Sequence, residues 1–442
     1  MQATFLSPSA GVSGYSMAAR SPFFPMVGRA FLLAVSLMIY FGAMPYLILA
    51  SSQLLYGVYC LILGSAALIL FFEWSELRHL RWVAPYLAWV LFYCYWGALV
   101  GPPEIPLDEI VKTALKNVLV IGGLALAVTG LRSLRHFANW VQVAALINAG
   151  IAVWETGHPE MIRKLALAHD PTATAFNVER PAGIWNNPDE ASFAYLFALL
   201  MSCWARGPLA WMGRIACVVG IYLTASRTGA YVLSLCIILL ILGQIRTVRL
   251  RPSTVAVGLF GLLALGVIGT VAVKLAPSDA FDVSQNRQIQ RILDFSETDA
   301  RSSGQMGRTD IAWAAAAQAL DGPWYGHGIY TFQMEPKDPF SILDIGAHNL
   351  YITVWGEAGI LGGVSYFLLL AFGLSRLTSK ALPERDRLLL MLFWMSYLVI
   401  ALTWHNQVTS FSGMLYSGAL WHLPGILRRE NVDYESISFK QH

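Results

Sequence analysis

Four residues in the second half of the chain have side chains suited to chemistry, and their spacing sets them apart. His348 is followed directly by Asn349, then by nine residues to Gly359, with Gly362 three further on. Imidazole is the side chain best matched to proton transfer near neutral pH. His348 stands where a long polar stretch gives way to an apolar run, at the start of a predicted helix whose unpaired N–H groups favour an anion. The plainer alternative is an interfacial histidine that only closes the loop. Glu357 falls two and a half turns further on, inside the apolar run, where an ionisable group is costly and is usually functional or paired. Arg227, in ASRTGA (225–230), separates two apolar runs. It reads either as a snorkelling interfacial residue or as an anion clamp, since a guanidinium grips phosphate oxygens as a bidentate fork. Arg308, in GQMGRTDIAW, lies between Gly304 and Gly307 on one side and Asp310 on the other. Arg287, Arg291 and Arg301 add positive charge nearby, Arg287 and Arg291 reading as a solvated helix face.

The elements that must position these residues are membrane helices. The chain has 442 residues, 56% hydrophobic and 13% charged, about half the charge fraction of a soluble protein. Apolar runs of the roughly 20 residues needed to cross a bilayer recur along it, and they lack the alternation of barrel strands. Twelve spans are expected, near 28–49, 54–72, 82–100, 113–130, 138–154, 190–205, 209–224, 228–244, 253–275, 349–374, 387–403 and 409–427. The first 26 residues hold no apolar stretch with a small-residue cleavage site and read as a short cytoplasmic lead. Cys60, Cys94, Cys203, Cys217 and Cys236 fall in or at the ends of apolar runs and read as packing residues.

Orientation follows from Lys and Arg in the short turns. With the N-terminus inside, Arg78 and Arg81, Arg132 and Arg135, Arg206 and Arg214, Arg246 to Arg251, Arg376 to Arg387, and Arg428 and Arg429 are cytoplasmic. Both termini are then cytoplasmic, and His348, Arg227 and Arg308 face outward. Two outer segments are long, about 155–189 and 276–348. The second has helical patches at 284–295 and at 307–320, the latter ended by Asp321-Gly322-Pro323. The chain thus divides into an N-terminal bundle of about nine spans (1–275), a large outer loop (276–348) and C-terminal helices with a short tail (349–442). Outward arginines with one histidine at a membrane surface point to a lipid-linked phosphate as substrate.

The His348-Asn349…Gly359…Gly362 block resembles the signature of the O-antigen ligase and O-antigen polymerase superfamily. Three further stretches are similar to blocks of that family: GIWNNPDEASF before one span, ASRTGAYV before the next but one, and GRTDIAW…GPWYGHGIYTF in the large loop. Together they cover roughly residues 180–375. The resemblance implies an all-α membrane glycosyltransferase of the GT-C-like type in the bacterial inner membrane. Its activity would be transfer of a glycan from undecaprenyl diphosphate to an acceptor at the periplasmic face, inverting and without a metal or other cofactor. The acceptor would be lipid A-core for a ligase, or a growing O-antigen or exopolysaccharide chain for a polymerase; the motifs are shared by both. The resemblance makes His348 the catalytic histidine and Glu357 its support. It puts Arg227 and Arg308 on the diphosphate, with Asn349, Gly359 and Gly362 as supporting residues.

Metal-free chemistry has a separate argument from the residues. The first outer turn, SSQLL, holds no acid, and Glu297-Thr298-Asp299 reads as a solvated turn, so cationic side chains must neutralise a diphosphate. Nucleic acid is not an expected partner; membrane lipids are. The competing class is a transporter or a flippase for lipid-linked oligosaccharides, whose signature is charged or broken helices near the midplane. Trp404, His405 and Asn406 are a possible lining of the acceptor path by topology, and Trp185, Trp324, Tyr325, Tyr330 and Phe332 are candidates for stacking on sugars.

Overall fold

The computed structural model describes residues 23–42, 52–103, 105–158, 180–185, 187–244, 308–332, 347–378, 382–404 and 407–438. Twelve α-helices lie among them: α1 (Phe23–Tyr40), α2 (Ser52–Phe72), α3 (Leu77–Val100), α4 (Leu107–Ala127), α5 (Leu131–Gly157), α6 (Pro188–Met201), α7 (Pro208–Thr224), α8 (Arg227–Gln244), α9 (Arg308–Asp321), α10 (Leu350–Ser375), α11 (Glu384–Ala401) and α12 (Phe411–Ser438). The protein is all-helical there, with no strand among the described residues. Six helices, α1 to α5 and α10, are long and apolar enough to cross a membrane. Many carry large apolar side chains on an exposed face, as do Leu54, Leu61 and Phe71 on α2. In water such surface is a liability; in a bilayer it is the solvated face.

Eleven of the twelve expected spans coincide with these helices, and their ends follow local chemistry. Gly42, with φ at +73°, stops α1 well before the expected residue 49. Pro188 and Pro208 open α6 and α7 at their first positions, where the missing N–H costs nothing. At 14 residues, α6 is about 21 Å long and too short to span the hydrocarbon alone. It is buried almost all round, as expected of a helix apolar on every side, and it packs among α5, α7, α8 and α11. Glycines admit these close approaches: a Cβ at Gly220 would lie 2.3 Å from the Tyr195 ring of α6. The expected span at 253–275 and the helical patch at 284–295 lie outside the described residues.

Contacts sort the turns into two sets, as an up-and-down bundle requires. At one end, Arg376 donates to Trp82 O (2.8 Å), Arg385 to Cys203 O (3.3 Å) and Arg214 to the Ser202 hydroxyl (2.9 Å). The His422 ring meets Val128 O at 2.6 Å at that same end. The guanidinium of Arg376 lies over the rings of Trp82, Phe372 and Trp421, a cation–π cluster on the basic end of the bundle. The opposite end gathers the starts of α4, α6, α8 and α10, and with them Arg227 and His348.

Candidate active site

The helix predicted at 307–320 is present as α9, and it packs on α10 through Ala315 and Ala319. These alanines share a small cluster with Phe332, Ala347, Ile352 and Trp355. Beyond α9 the chain turns at Gly322-Pro323, and the segment from Trp324 to Phe332 lodges between α3 and α10.

It lodges there because α10 is broken. Gly359 has φ +62° and ψ −156° in the middle of an otherwise continuous helix. A break inside a bundle leaves N–H and C=O groups that must be paired, and the inserted segment pairs them. Ile360 N donates to Trp324 O (2.8 Å), His327 N to Gly356 O (2.9 Å) and Gly328 N to Glu357 O (2.8 Å). From the other side, the Trp96 indole donates to Tyr325 O (3.0 Å). Backbones touch here with no room for a Cβ: one at Gly359 would lie 2.1 Å from Trp324 O, and one at Gly328 would lie 2.1 Å from the Cα of Gly101. The GPWYGHG stretch and the glycine spacing after His348-Asn349 are therefore two halves of one interlock.

Glu357 fastens it. Its side chain is fully buried; one carboxylate oxygen accepts from Phe332 N (3.1 Å) and the other from the Tyr93 hydroxyl of α3. Phe332 O in turn accepts from Ala347 N (3.0 Å). Two hydrogen bonds, through the N–H and C=O of Phe332, thus join the glutamate carboxylate to the position preceding His348. Expected beside His348 as a support, Glu357 is without solvent contact and bonds to the inserted segment and to α3.

His348 itself is half-buried and adopts a left-handed conformation, φ +49°, strain that a non-glycine residue holds only where its surroundings over-determine it. Asn349 is the N-cap of α10, its side-chain oxygen accepting from Tyr351 N (3.0 Å) and Ile352 N (3.2 Å). The cap and the interlock together fix the backbone on either side of His348. Gly362 lies on the α10 turn that resumes after the break, where a Cβ would meet that of Ala358 at 2.2 Å.

Arg227 is the first residue of α8, half-buried, after Ala225 in the left-handed region and Ser226, whose hydroxyl accepts from Gly229 N (3.3 Å). Both α8 and α10 flank α11: the Cys236 thiol meets the Ser396 hydroxyl at 3.5 Å, and the Tyr351 hydroxyl donates to Leu398 O at 3.0 Å. Arg308 is the first residue of α9. The end of α9 lies near the break in α10, since Trp324, three residues beyond it, pairs with Ile360. Each of the three candidates stands at or just before a helix N-terminus, where backbone dipoles favour anions.

Two pinning residues escaped the sequence reading. Glu155, buried in α5, accepts from Ala182 N (3.1 Å) and Gly183 N (2.8 Å), as Glu357 does from Phe332. Arg180 is buried, with Nε donating to Thr224 O (2.7 Å) and Nη2 to Asp189 (2.9 Å). It ties the end of α7, just before Arg227, to the start of α6. An outward arginine beside GIWNNPDE was open to the logic used for Arg227; its carbonyl partner is a long-range contact no spacing reveals. Among the aromatic candidates, Trp324 is exposed while Phe332 and Trp185 are core residues. Tyr330 hydrogen-bonds Thr113 at 2.6 Å and Glu109 O at 3.2 Å, and burial pushes its phenol up to about 12. Trp404 is buried, and His405 and Asn406 lie outside the described residues. Arg287, Arg291, Arg301 and the Glu297–Asp299 turn also lie outside them.

Residues 212–367 match the family described as O-antigen ligase. The resemblance read from the motifs, to the O-antigen ligase and polymerase superfamily, holds over that stretch, which contains Arg227, Arg308, His348, Glu357, Gly359 and Gly362. A comparison of the chain with curated proteins found no match. The chain thus carries apolar helices long enough to cross a membrane, and a stretch at 212–367 that matches the O-antigen ligase family.

Proposed function

We propose that the protein transfers a glycan from undecaprenyl diphosphate to an acceptor hydroxyl at the periplasmic face of the bacterial inner membrane. The acceptor oxygen attacks the anomeric carbon on the face opposite the diphosphate, and the bond from that carbon to the diphosphate oxygen breaks, with inversion. His348 takes the hydroxyl proton as the new bond forms. Arg227 and Arg308 neutralise the charge that grows on the leaving diphosphate, an interaction that strengthens toward the transition state and so accelerates the step. No metal or cofactor is assigned a part in this scheme. Lipid A-core is the acceptor if the enzyme is a ligase, a glycan chain if it is a polymerase.

The observation that carries this reading is the way Glu357 and the broken α10 fix the backbone beside His348. A loop-closing histidine needs no such double anchorage; a general base, which loses rate with small misplacement, does. The test is complementation of a deletion strain with His348→Ala, Arg227→Ala and Arg308→Ala, with insertion checked in membranes. Loss of surface polysaccharide with accumulation of the lipid-linked donor is expected. Long accumulated chains identify a ligase, single repeat units a polymerase. Normal polysaccharide from all three variants would overturn the proposal.

A further inference from the structure

Lys116 lies in α4, nine residues in from Leu107, about 14 Å along the helix axis. A cation that deep in a membrane helix calls for a partner or a function. Lys112, one turn earlier, has its partners in Asp108 (2.9 Å) and Glu109 (2.7 Å). Lys116 forms no ion pair among the described residues; its ammonium lies over the Phe411 ring, 4.9 Å from the centroid. It is folded against the protein rather than extended along the lipid face.

Polar atoms with no partner among the described residues gather around the same contact. Asn117 is fully buried; its amide nitrogen donates to Thr113 O (2.9 Å) and to Val408 O (2.9 Å), and its carbonyl oxygen is unpaired. Next to Val408, Gln407 is 1% exposed, with both amide atoms unpaired. Buried polar groups in proteins are almost always hydrogen-bonded, and exceptions ask for a ligand or another explanation. One ammonium, one N–H₂ donor and two carbonyl acceptors thus belong to α4 and the 407–411 turn, which the Lys116–Phe411 and Asn117–Val408 contacts bring together. The route to the catalytic end is short, because the Thr113 hydroxyl meets that of Tyr330 at 2.6 Å, two residues before Phe332.

We propose that Lys116, Asn117 and Gln407 form a subsite for an acidic sugar unit, a uronate or a phosphorylated sugar, separate from Arg227 and Arg308. The ammonium and the Gln407 amide N–H take the oxyanion. The two carbonyl oxygens accept from neighbouring sugar hydroxyls, and Phe411 packs beneath. The inference rests on the glycosyl-transfer reading above and adds which glycan units the enzyme accepts.

The test uses the full chain in the complemented deletion strain and, purified in detergent, in thermal-shift measurements. Lys116→Met keeps the length of the side chain and removes the charge. The expected result is at least a tenfold loss of polysaccharide, partial rescue by Lys116→Arg, and a Tm no lower than wild type. A thermal upshift with glucuronate or glucose 6-phosphate, absent with glucose, is expected in wild type and in Arg227→Ala, and lost in Lys116→Met and Gln407→Leu. In the reconstituted reaction, a raised KM for donor in Lys116→Met places the acidic unit on the donor, and a raised KM for acceptor places it there. Full transfer by Lys116→Met while Arg227→Ala is inactive would overturn this subsite alone, as would a parallel fall of activity and Tm. If His348→Ala and Arg227→Ala both retain transfer, the function above fails instead, and the acidic-sugar shift alone then decides the subsite, its absence in wild type overturning it.

Discussion

Replacing Gly359 by alanine tests whether the broken helix holds the catalytic end together. At φ +62°, ψ −156° a side chain costs about 1–3 kcal/mol in backbone strain alone. The added Cβ would also stand 2.1 Å from Trp324 O and 2.6 Å from Gly326 N. Both are backbone atoms, so the inserted segment itself must move out. That motion opens the bond from Ile360 N to Trp324 O and loosens those from His327 and Gly328, and each buried group left unpaired costs about 1–3 kcal/mol. Losing one or two of the three gives a total of about 4–6 kcal/mol, a large part of a typical stability of about 5–15 kcal/mol. The assay is thermal unfolding of the purified full chain beside glycan transfer in membranes. Gly359→Ala should insert, unfold at a clearly lower Tm and lose nearly all transfer. Gly64→Ala on α2, where a Cβ meets nothing within 4 Å, should leave both unchanged. Wild-type Tm and activity in Gly359→Ala would refute the interlock.

Other outcomes follow from the same geometry. Glu357→Ala strips acceptors from Phe332 N and the Tyr93 hydroxyl and should lower stability by about 2–5 kcal/mol, while Glu357→Gln, which retains one carbonyl oxygen, should keep a measurable part of activity in the transfer assay. Arg180→Ala frees the turn before Arg227 and should lower kcat with insertion intact, which steady-state kinetics in membranes can read. Transfer should survive chelation by EDTA, since arginines rather than a metal are assigned to the diphosphate; loss restored by added divalent cation would remove that assignment. Burial holds the His327 imidazole below its ordinary 6.5. The unfolded chain then binds more protons in that window, so the stability contributed is complete above about pH 6.5 and lost as pH falls below it. Tm measured from pH 8 to pH 5 should decline, and His327→Asn should flatten that decline.

Much of the scaffold is legible in the sequence because membrane helices carry their signal locally, in long apolar runs cut by glycine, proline and basic turns. The helix after Gly307 is likewise local and stands where the residues place it. The spacing of Gly359 and Gly362 marked a motif without revealing why the glycines are needed. That reason is a long-range contact: the partners of the break, Trp324 to Gly328, lie about 30 residues earlier, and Tyr93, Trp96 and Gly97 of α3, with Gly101 just after it, more than 200 residues earlier. Glu155 and Arg180 escaped for the same cause, since a carboxylate that accepts backbone N–H groups from another segment leaves no periodic trace. Polar residues within apolar helices were the available clue, and each of Glu155, Glu357 and Asn117 answers to it.

The central claim is most directly tested by reconstituting the purified protein with an undecaprenyl-diphosphate-linked glycan and a glycan acceptor. Released undecaprenyl diphosphate and new glycosidic product are measured together, with anomeric configuration determined by NMR. The account predicts equimolar release and product, inverted configuration, and a loss of about 10²–10⁴-fold in His348→Ala with Tm unchanged. Wild-type rates in His348→Ala, or movement of the lipid-linked glycan across the bilayer with no bond made or broken, would contradict it.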